Sequence, residues 1–136
     1  MFNSRSGSFI LSLVCALLAA CSSIDGARPA EEIVGERALN HAAALMAGDF
    51  DGALEFMLPS YTNSARAADY KRSRSGATGW TDVSLKWVRC GDNEIKDRCE
   101  VRLLVTTTRP PATTVPITVP LDDVWLLVDG RWYQYP

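Results

Sequence analysis

The side chains of this sequence that could carry protons are few and scattered. His41 is the only histidine, and the acids and phenols that could act with it are Asp49, Asp51, Asp69, Tyr61 and Tyr70. General acid–base chemistry requires two such groups converging on one cavity. On a helix, His41 would lie about 160° from the centre of the stripe formed by Leu39 and Met46. This position predicts a partly exposed histidine without a catalytic role; the alternative is a pocket acid or base.

The carboxylates have simpler roles than catalysis. Asp49 fits a helix cap, Asp51 a first-turn residue and Asp69 a solvated position on a helix face. The adjacent pair Asp122 and Asp123 indicates charge at the start of a strand, because a calcium site needs several oxygen ligands from one loop and no such spacing is present. We therefore predict no catalytic residue, no metal site and no cofactor.

The first twenty residues have the physical pattern of a secretory signal peptide. Arg5 supplies a positive charge, and the apolar run Phe9–Leu18 is too short for a stable membrane span. The next residues, Leu18-Ala19-Ala20-Cys21, resemble the bacterial lipobox, in which the cysteine is lipidated and becomes the first residue of the mature protein. The alternative is an ordinary cleaved signal peptide with a chance cysteine.

The lipobox resemblance implies a location and a domain organisation. Residues 1–20 would be removed, residues 21–29 would form a lipidated tether, and residues 30–136 would form one domain. Ser22, in place of aspartate after Cys21, points by the same resemblance to an outer-membrane lipoprotein facing the periplasm. Without Arg5 the chain carries 13 Lys and Arg against 16 Asp and Glu, a net charge of −3. Such a mildly acidic chain lacks the basic footprint of a nucleic-acid-binding protein.

The remaining cysteines fit an exported protein. Of the four in the sequence, Cys15 belongs to the predicted signal peptide and Cys21 to the lipobox. In an oxidising compartment, Cys90 and Cys99 are expected to form a disulfide across the polar loop between them. A zinc site is the rival interpretation, but no second cysteine pair exists and His41 is far away in the sequence.

The first half of the domain has the composition of helices. A long helix is predicted over Ala30–Ala47, rich in Ala, Glu and Leu, with Gly48 as its stop. Its apolar stripe is expected to contain Leu39, Ala42, Ala43, Met46 and Phe50, widened by Val34, Ala38 and Leu45. Shorter helices follow over Phe50–Leu58, ended by Pro59, and over Thr62–Arg72.

The second half predicts about five antiparallel strands. Alternating apolar residues mark them at Trp80–Arg89, Val101–Thr107, Val115–Val119, Val124–Val128 and Arg131–Tyr135. The segment Arg109–Pro111 should interrupt the strand pattern between the second and the third strand. Pro116 and Pro120 mark an edge or bulged strand. Asp129-Gly130 predicts a type I′ hairpin turn that pairs Leu127 with Trp132 and Trp125 with Gln134.

Helices followed by antiparallel strands indicate an α+β domain, with N-terminal helices packed on a curved sheet. The run ALMAGDFDGA at the end of the long helix, the short helix ended by Pro59 and the ending VWLLVDGRWY resemble the nuclear-transport-factor-2-like (NTF2-like) superfamily. That resemblance implies a cone-shaped fold in which a bent sheet wraps a long helix. It also allows proton-transfer activity inside the cone, although no catalytic motif of the superfamily matches here. A cystatin-like helix on a sheet is the alternative fold.

Aromatic and basic residues provide the remaining functional signal. The four tryptophans either pack in the core and the sheet or form a binding face. The basic end of the third helix either stabilises the helix C-terminus or forms a patch for a binding partner. The candidate binding residues are Arg72, Arg74, Trp80 and Tyr135. Our first hypothesis is a non-enzymatic lipoprotein that binds a protein partner, such as an immunity or assembly factor, and is held on the lipid bilayer by acylated Cys21. The alternative is a cup for a small apolar ligand, with isomerase- or cyclase-like proton transfer.

Overall fold

The computed structural model describes residues 28–91, 96–108 and 115–136. The predicted signal peptide, Cys21, most of the tether, part of the loop between Cys90 and Cys99 and the break at Arg109–Pro111 lie outside these residues. The helices are α1 (Ala30–Met46), α2 (Phe50–Leu54), α3 (Pro59–Thr62) and α4 (Arg66–Arg74), and a 3₁₀ turn follows at Ser75–Gly79. The strands are β1 (Trp80–Cys90), β2 (Arg98–Thr107), β3 (Ile117–Val128) and β4 (Arg131–Tyr135).

The long helix α1 packs on the sheet, but with a different face from the predicted one. Its buried side chains are Val34, Ala38, His41, Ala42 and Leu45. Leu39 and Met46 of the predicted stripe are only half-buried, and Ala43 is exposed. The predicted centre of the stripe was therefore wrong, whereas Val34, Ala38 and Leu45, which were expected to widen it, are buried as predicted. A Cβ at Gly35 would lie 2.9 Å from Leu85 of β1, so the helix approaches the strand closely on this face.

The four described strands form one antiparallel sheet in the order β1-β2-β3-β4. The predicted hairpin is confirmed, since Leu127 faces Trp132 and Trp125 faces Gln134. Both turn residues have positive φ, 50° at Asp129 and 77° at Gly130, as a type I′ turn requires. The α+β architecture predicted from the sequence is confirmed.

The described residues form four strands where about five were predicted, because the predicted third and fourth strands are one continuous strand. β3 runs without a break through Pro120 and pairs with β2 from Ile117 to Leu126. At Asp122 a bidentate ion pair with Arg102 of β2, at 2.6 and 2.7 Å, holds the strand in register. The β4 partner covers only Val124–Val128, so the first half of β3 has a free edge among the described residues. Proline is tolerated at such an edge.

The connection after α2 forms a short strand-like contact with β4. Met57 makes a parallel bridge to Gln134, with hydrogen bonds of 2.7 Å from Gln134 N to Phe56 O and 3.3 Å from Leu58 N to Gln134 O. This pairing explains why α2 ends at Leu54, four residues before the predicted end. The predicted third helix, Thr62–Arg72, corresponds mainly to α4, and only its first residue, Thr62, belongs to α3.

The ends of β1 and β2 are joined covalently. Cys90 and Cys99 are direct partners in the strand register, with a Cα–Cα distance of 3.9 Å, and they form the predicted disulfide.

Trp125 is fully buried at the centre of the core between α1 and the sheet. Within the three described stretches, none of the helices is both long enough and apolar enough to cross a membrane.

Candidate functional site

Two helices bring a histidine and a tyrosine together inside the domain. His41 of α1 and Tyr70 of α4 share a hydrogen bond of 2.6 Å between Nε2 and Oη. The two side chains are 2% and 1% exposed, so the prediction of a partly exposed histidine was wrong. Burial, with a smaller effect of the Arg74 charge, lowers the pKa of His41 to about 4. Burial raises the pKa of Tyr70 to about 12. At neutral pH both groups are therefore uncharged.

Aromatic rings enclose this pair. The imidazole of His41 lies 5.7 Å from the ring centroid of Phe56 and 6.3 Å from that of Trp125, which it meets edge-on. Tyr61 meets Tyr70 edge-on at 6.2 Å. Such contacts favour a neutral imidazole, because they offer no carboxylate to stabilise its charged form.

A carboxyl group also points into the domain. Asp123 is 7% exposed, and burial raises its pKa against the opposing influence of the Arg74 charge and of a hydrogen bond with Gln134. Its neighbour Asp122 is exposed and paired with Arg102, which lowers the pKa of Asp122. Both residues lie in the middle of β3 and not at a strand start, because the strand continues through Pro120, so the prediction was wrong in position. Asp122 is the exposed charge that was expected, whereas Asp123 is buried.

Some polar atoms in the interior lack a hydrogen-bond partner among the described residues. Trp125 Nε1 and Gln134 Oε1 are buried and have no hydrogen-bond partner among the described residues. The two residues are direct partners across β3 and β4, so their side chains lie on the same face of the sheet. His41, Tyr70, Asp123 and Gln134 thus form a polar cluster within an otherwise apolar core.

This polar cluster has the side chains of an acid–base site but not the access. His41 and Tyr70 line none of the four clefts described for this domain, and neither does Asp123. A general acid or base must come within hydrogen-bond reach of the group it serves. In this conformation the cluster can hold protons but cannot exchange them with a molecule bound in those clefts.

One open cleft lies where the helices meet the start of β1, and we name it the Trp80 cleft. It has a volume of about 560 Å³, and its lining includes Arg74, Trp80 and Thr107. The guanidinium of Arg74 lies 6.0 Å from the ring centroid of Tyr70. Within residues 28–91, 96–108 and 115–136, no carboxylate lies within ion-pair distance of Arg74. Two of the predicted binding residues therefore meet at one open site.

A second open cleft, the Tyr135 cleft, lies at the other end of α4. It has a volume of about 340 Å³, and its lining includes Tyr61, Arg66 and Tyr135. Tyr135 is 54% exposed. The last predicted binding residue, Arg72, lies on α4 between the two clefts. Its side chain is 86% exposed and pairs with Asp69 at 3.4 Å.

The other acidic candidates serve the fold as expected. Asp49 caps α2 by accepting a hydrogen bond of 2.9 Å from Gly52 N. Asp51 lies in the first turn of α2 and pairs with Lys71 at 2.9 Å. Asp69 is exposed on α4. These three carboxylates have roles outside the polar cluster, whose carboxyl group is that of Asp123; its charge acts on Tyr70.

Sequence comparison identifies no relative, whereas structural comparison identifies a fold. The sequence matches no protein-family profile, and no curated protein matches it. A Campylobacter jejuni structure, provisionally described as an NTF2-like transpeptidase, is similar with a TM-score of 0.53 and 14% identity over 74% of this chain and 95% of that one. An NTF2-like protein of unknown function from Shewanella oneidensis gives 0.53 and 14% identity over 76% and 92% of the chains.

A third similar structure, from Streptomyces avermitilis, is provisionally described as a dehydratase of the NTF2-like family. It has a TM-score of 0.52 and 14% identity over 77% of this chain and 94% of that one. At these identities the similarity shows the fold alone. The domain has the NTF2-like fold predicted from its sequence.

Proposed function

We propose, from a domain with the NTF2-like fold, that this protein is an envelope-anchored lipoprotein that binds a protein partner and catalyses no reaction. The observation that carries this proposal is the contrast between the polar cluster and the clefts. The groups able to move protons are sealed in the core, whereas Arg74 and Trp80 meet at an open surface. Arg, Trp and Tyr are the residue types that dominate the binding energy of protein interfaces.

The membrane attachment rests on the first part of the sequence. The order of charge, apolar run, small residues and Cys21 supports lipidation in the bacterial envelope, on the periplasmic face of the outer membrane. We expect Cys21→Ser to abolish lipid modification and to release the protein from washed membranes, because Cys21 would carry the acyl chains that anchor the protein. A Cys21→Ser protein that still fractionates with membranes would show that the lipobox interpretation is wrong.

Protein binding can be tested in cells by site-specific photo-crosslinking. A photoreactive phenylalanine analogue placed at Ser73, on the Trp80 cleft, or at Ser60, on the Tyr135 cleft, should yield a discrete crosslinked species. The matched control is Lys86, which is exposed on β1 and lines neither cleft. Equal crosslinking from all three positions, or none from any, would contradict a protein-binding role for the clefts.

The polar cluster supports a second candidate function, a cup for a small apolar ligand with proton transfer. His41, Tyr70 and Asp123 are the residue types that such chemistry uses, and Trp125 Nε1 and Gln134 Oε1 lack partners. The provisional description of one similar structure as a dehydratase is compatible with this alternative. It requires an opening motion that exposes the cluster. Removing single proton-carrying groups distinguishes the two functions, because only the second depends on them.

A further inference from the structure

The two clefts lie at opposite ends of one helix. α4 begins at Arg66, which lines the Tyr135 cleft, and ends at Arg74, which lines the Trp80 cleft. A helix of nine residues is about 12 Å long between its terminal Cα atoms. Each cleft therefore presents one guanidinium and at least one aromatic side chain, and α4 fixes the spacing between the two arginines.

The basic side chains of α4 differ in whether a carboxylate lies close to them. Lys71 is neutralised by Asp51 at 2.9 Å, and Arg72 lies near Asp69 at 3.4 Å. In contrast, Arg66 and Arg74 have no carboxylate within ion-pair distance in the described part of the chain. The chain as a whole carries a formal charge of −2. The helix thus offers, on the surface of an acidic protein, two positive charges without an ion-pair partner among the described residues, so electrostatic attraction would favour an acidic partner there.

We propose that α4 and its two flanking clefts bind an acidic, extended segment of a protein partner. This inference rests on the binding role proposed above and names the chemistry of the partner. An extended chain rises about 3.3 Å per residue, so two carboxylates four positions apart lie about 13 Å from each other, close to the separation of the Cα atoms of the two arginines. Apolar side chains next to each carboxylate enter the aromatic-lined clefts. A flat anionic membrane would reach the arginines but would not fill two concave clefts.

Synthetic peptides test this spacing directly. The first is a ten-residue peptide of serine and leucine with two glutamates four positions apart; the second has the same composition with adjacent glutamates, and the third has glutamines in their place. Binding to the purified domain of residues 21–136, produced with Cys21→Ser, is followed by NMR chemical-shift changes and calorimetry. We expect the first peptide to bind at least about fivefold more tightly than the others, with shifts at both clefts.

Matched variants then test which positive charges of the domain bind the peptide. Arg66→Gln and Arg74→Gln should each weaken binding of the first peptide about fivefold, and Lys86→Gln, which removes an exposed charge on β1, should have no effect. No binding of the first peptide, or equal loss in the Lys86→Gln control, would overturn the proposal. So would stronger binding to phosphatidylglycerol vesicles than to any peptide, since that result would assign the arginines to lipid.

The crosslinking experiment keeps the two proposals separate. Crosslinks from Ser73 and Ser60 without any spacing preference among the peptides would refute the acidic segment and leave the binding role standing. A complete absence of crosslinks would refute the binding role itself. Peptide binding that requires both arginines, together with crosslinks at both clefts, is the result that the proposal predicts.

Discussion

His41 and Tyr70, which are 29 residues apart in the chain, share a buried hydrogen bond of 2.6 Å that joins α1 to α4. Burial keeps both groups uncharged at neutral pH. The bond therefore attaches the short helix α4, with its two arginine-bearing ends, to the long helix that packs on the sheet. The contact that would serve an acid–base site here joins two helices inside the core.

Removing the Tyr70 hydroxyl should lower the stability of the domain. Tyr70→Phe leaves His41 Nε2 buried without its partner, which costs about 1–3 kcal/mol in the free energy of unfolding. Urea titration of the purified domain measures this change. Tyr133→Phe, which removes a half-buried hydroxyl that has no hydrogen-bond partner in the described residues, is the control and should be neutral. Equal effects of the two substitutions would mean that the His41 bond contributes nothing.

Acid should destabilise the domain through His41. Its pKa is about 4 in the folded domain against 6.5 for the unperturbed group, so the unfolded chain binds more protons between these pH values. The free energy of unfolding should therefore fall as the pH drops from about 6.5 to 4, by up to about 3 kcal/mol from this group. Urea titrations at pH 7, 5.5 and 4.5 test this slope, and a His41→Gln domain should show a flatter one.

The carboxyl of Asp123 should have the opposite pH dependence. Because its folded-state pKa is raised, the folded domain keeps the Asp123 proton to a higher pH than the unfolded chain does, and this contribution to stability is lost as the pH rises. Asp123→Asn should therefore raise the free energy of unfolding at pH 7 and steepen the loss of stability in acid. The exposed Asp122, changed to Asn, should instead weaken the domain at pH 7, since Asp122 is ionised and paired with Arg102.

The disulfide should stabilise the β1–β2 hairpin. Closing a loop of about ten residues contributes roughly 2–3 kcal/mol when chain entropy dominates. Intact mass with and without reductant before alkylation shows whether the bond forms, and urea titration of a Cys90→Ala, Cys99→Ala domain against the oxidised protein measures its effect. Two free thiols in the unreduced sample would contradict the bond that joins these directly paired residues.

Pro120 should protect the free edge of β3. Leu127 N donates a hydrogen bond to Asp97 O, on the side of β3 that faces β2. Because the backbone groups of successive residues in a strand point in opposite directions, those of even-numbered residues, including Pro120, point toward the free edge. Proline has no N–H to donate there, which hinders pairing with a further strand. Pro120→Val should therefore give concentration-dependent association in analytical ultracentrifugation, whereas Thr118→Val should remain monodisperse. Association of both variants would assign the effect to added apolar surface.

Local sequence signals predicted the elements that local chemistry determines. Asp129-Gly130 predicted the hairpin and its register because only a left-handed turn joins two such strands directly. Asp49 predicted a cap, and its carboxylate accepts the Gly52 N–H. The α+β order of elements and the resemblance to the NTF2-like superfamily predicted the fold.

The orientation of α1 and the interior polar cluster depend on tertiary packing, which local periodicity does not fix. The periodicity suggested a stripe centred on Leu39 and Met46, but α1 packs on the sheet with its Val34–Leu45 side, and this orientation buries His41. A signal for Asp123 was present, because it alternates with Trp125 and therefore lies on the same face of β3. Gln134 could be placed there from its predicted pairing with Trp125.

The central claim is that this protein acts by binding and not by proton transfer. Complementation of a deletion strain compares two matched sets: Tyr70→Phe and Asp123→Asn, which remove proton-carrying groups, and Arg66→Gln and Arg74→Gln, which remove surface charge. Circular dichroism and immunoblotting verify folding and amount. We predict that the first set complements the deletion and that the second does not. Folded Tyr70→Phe or Asp123→Asn protein that fails to complement, beside fully active arginine variants, would contradict the account.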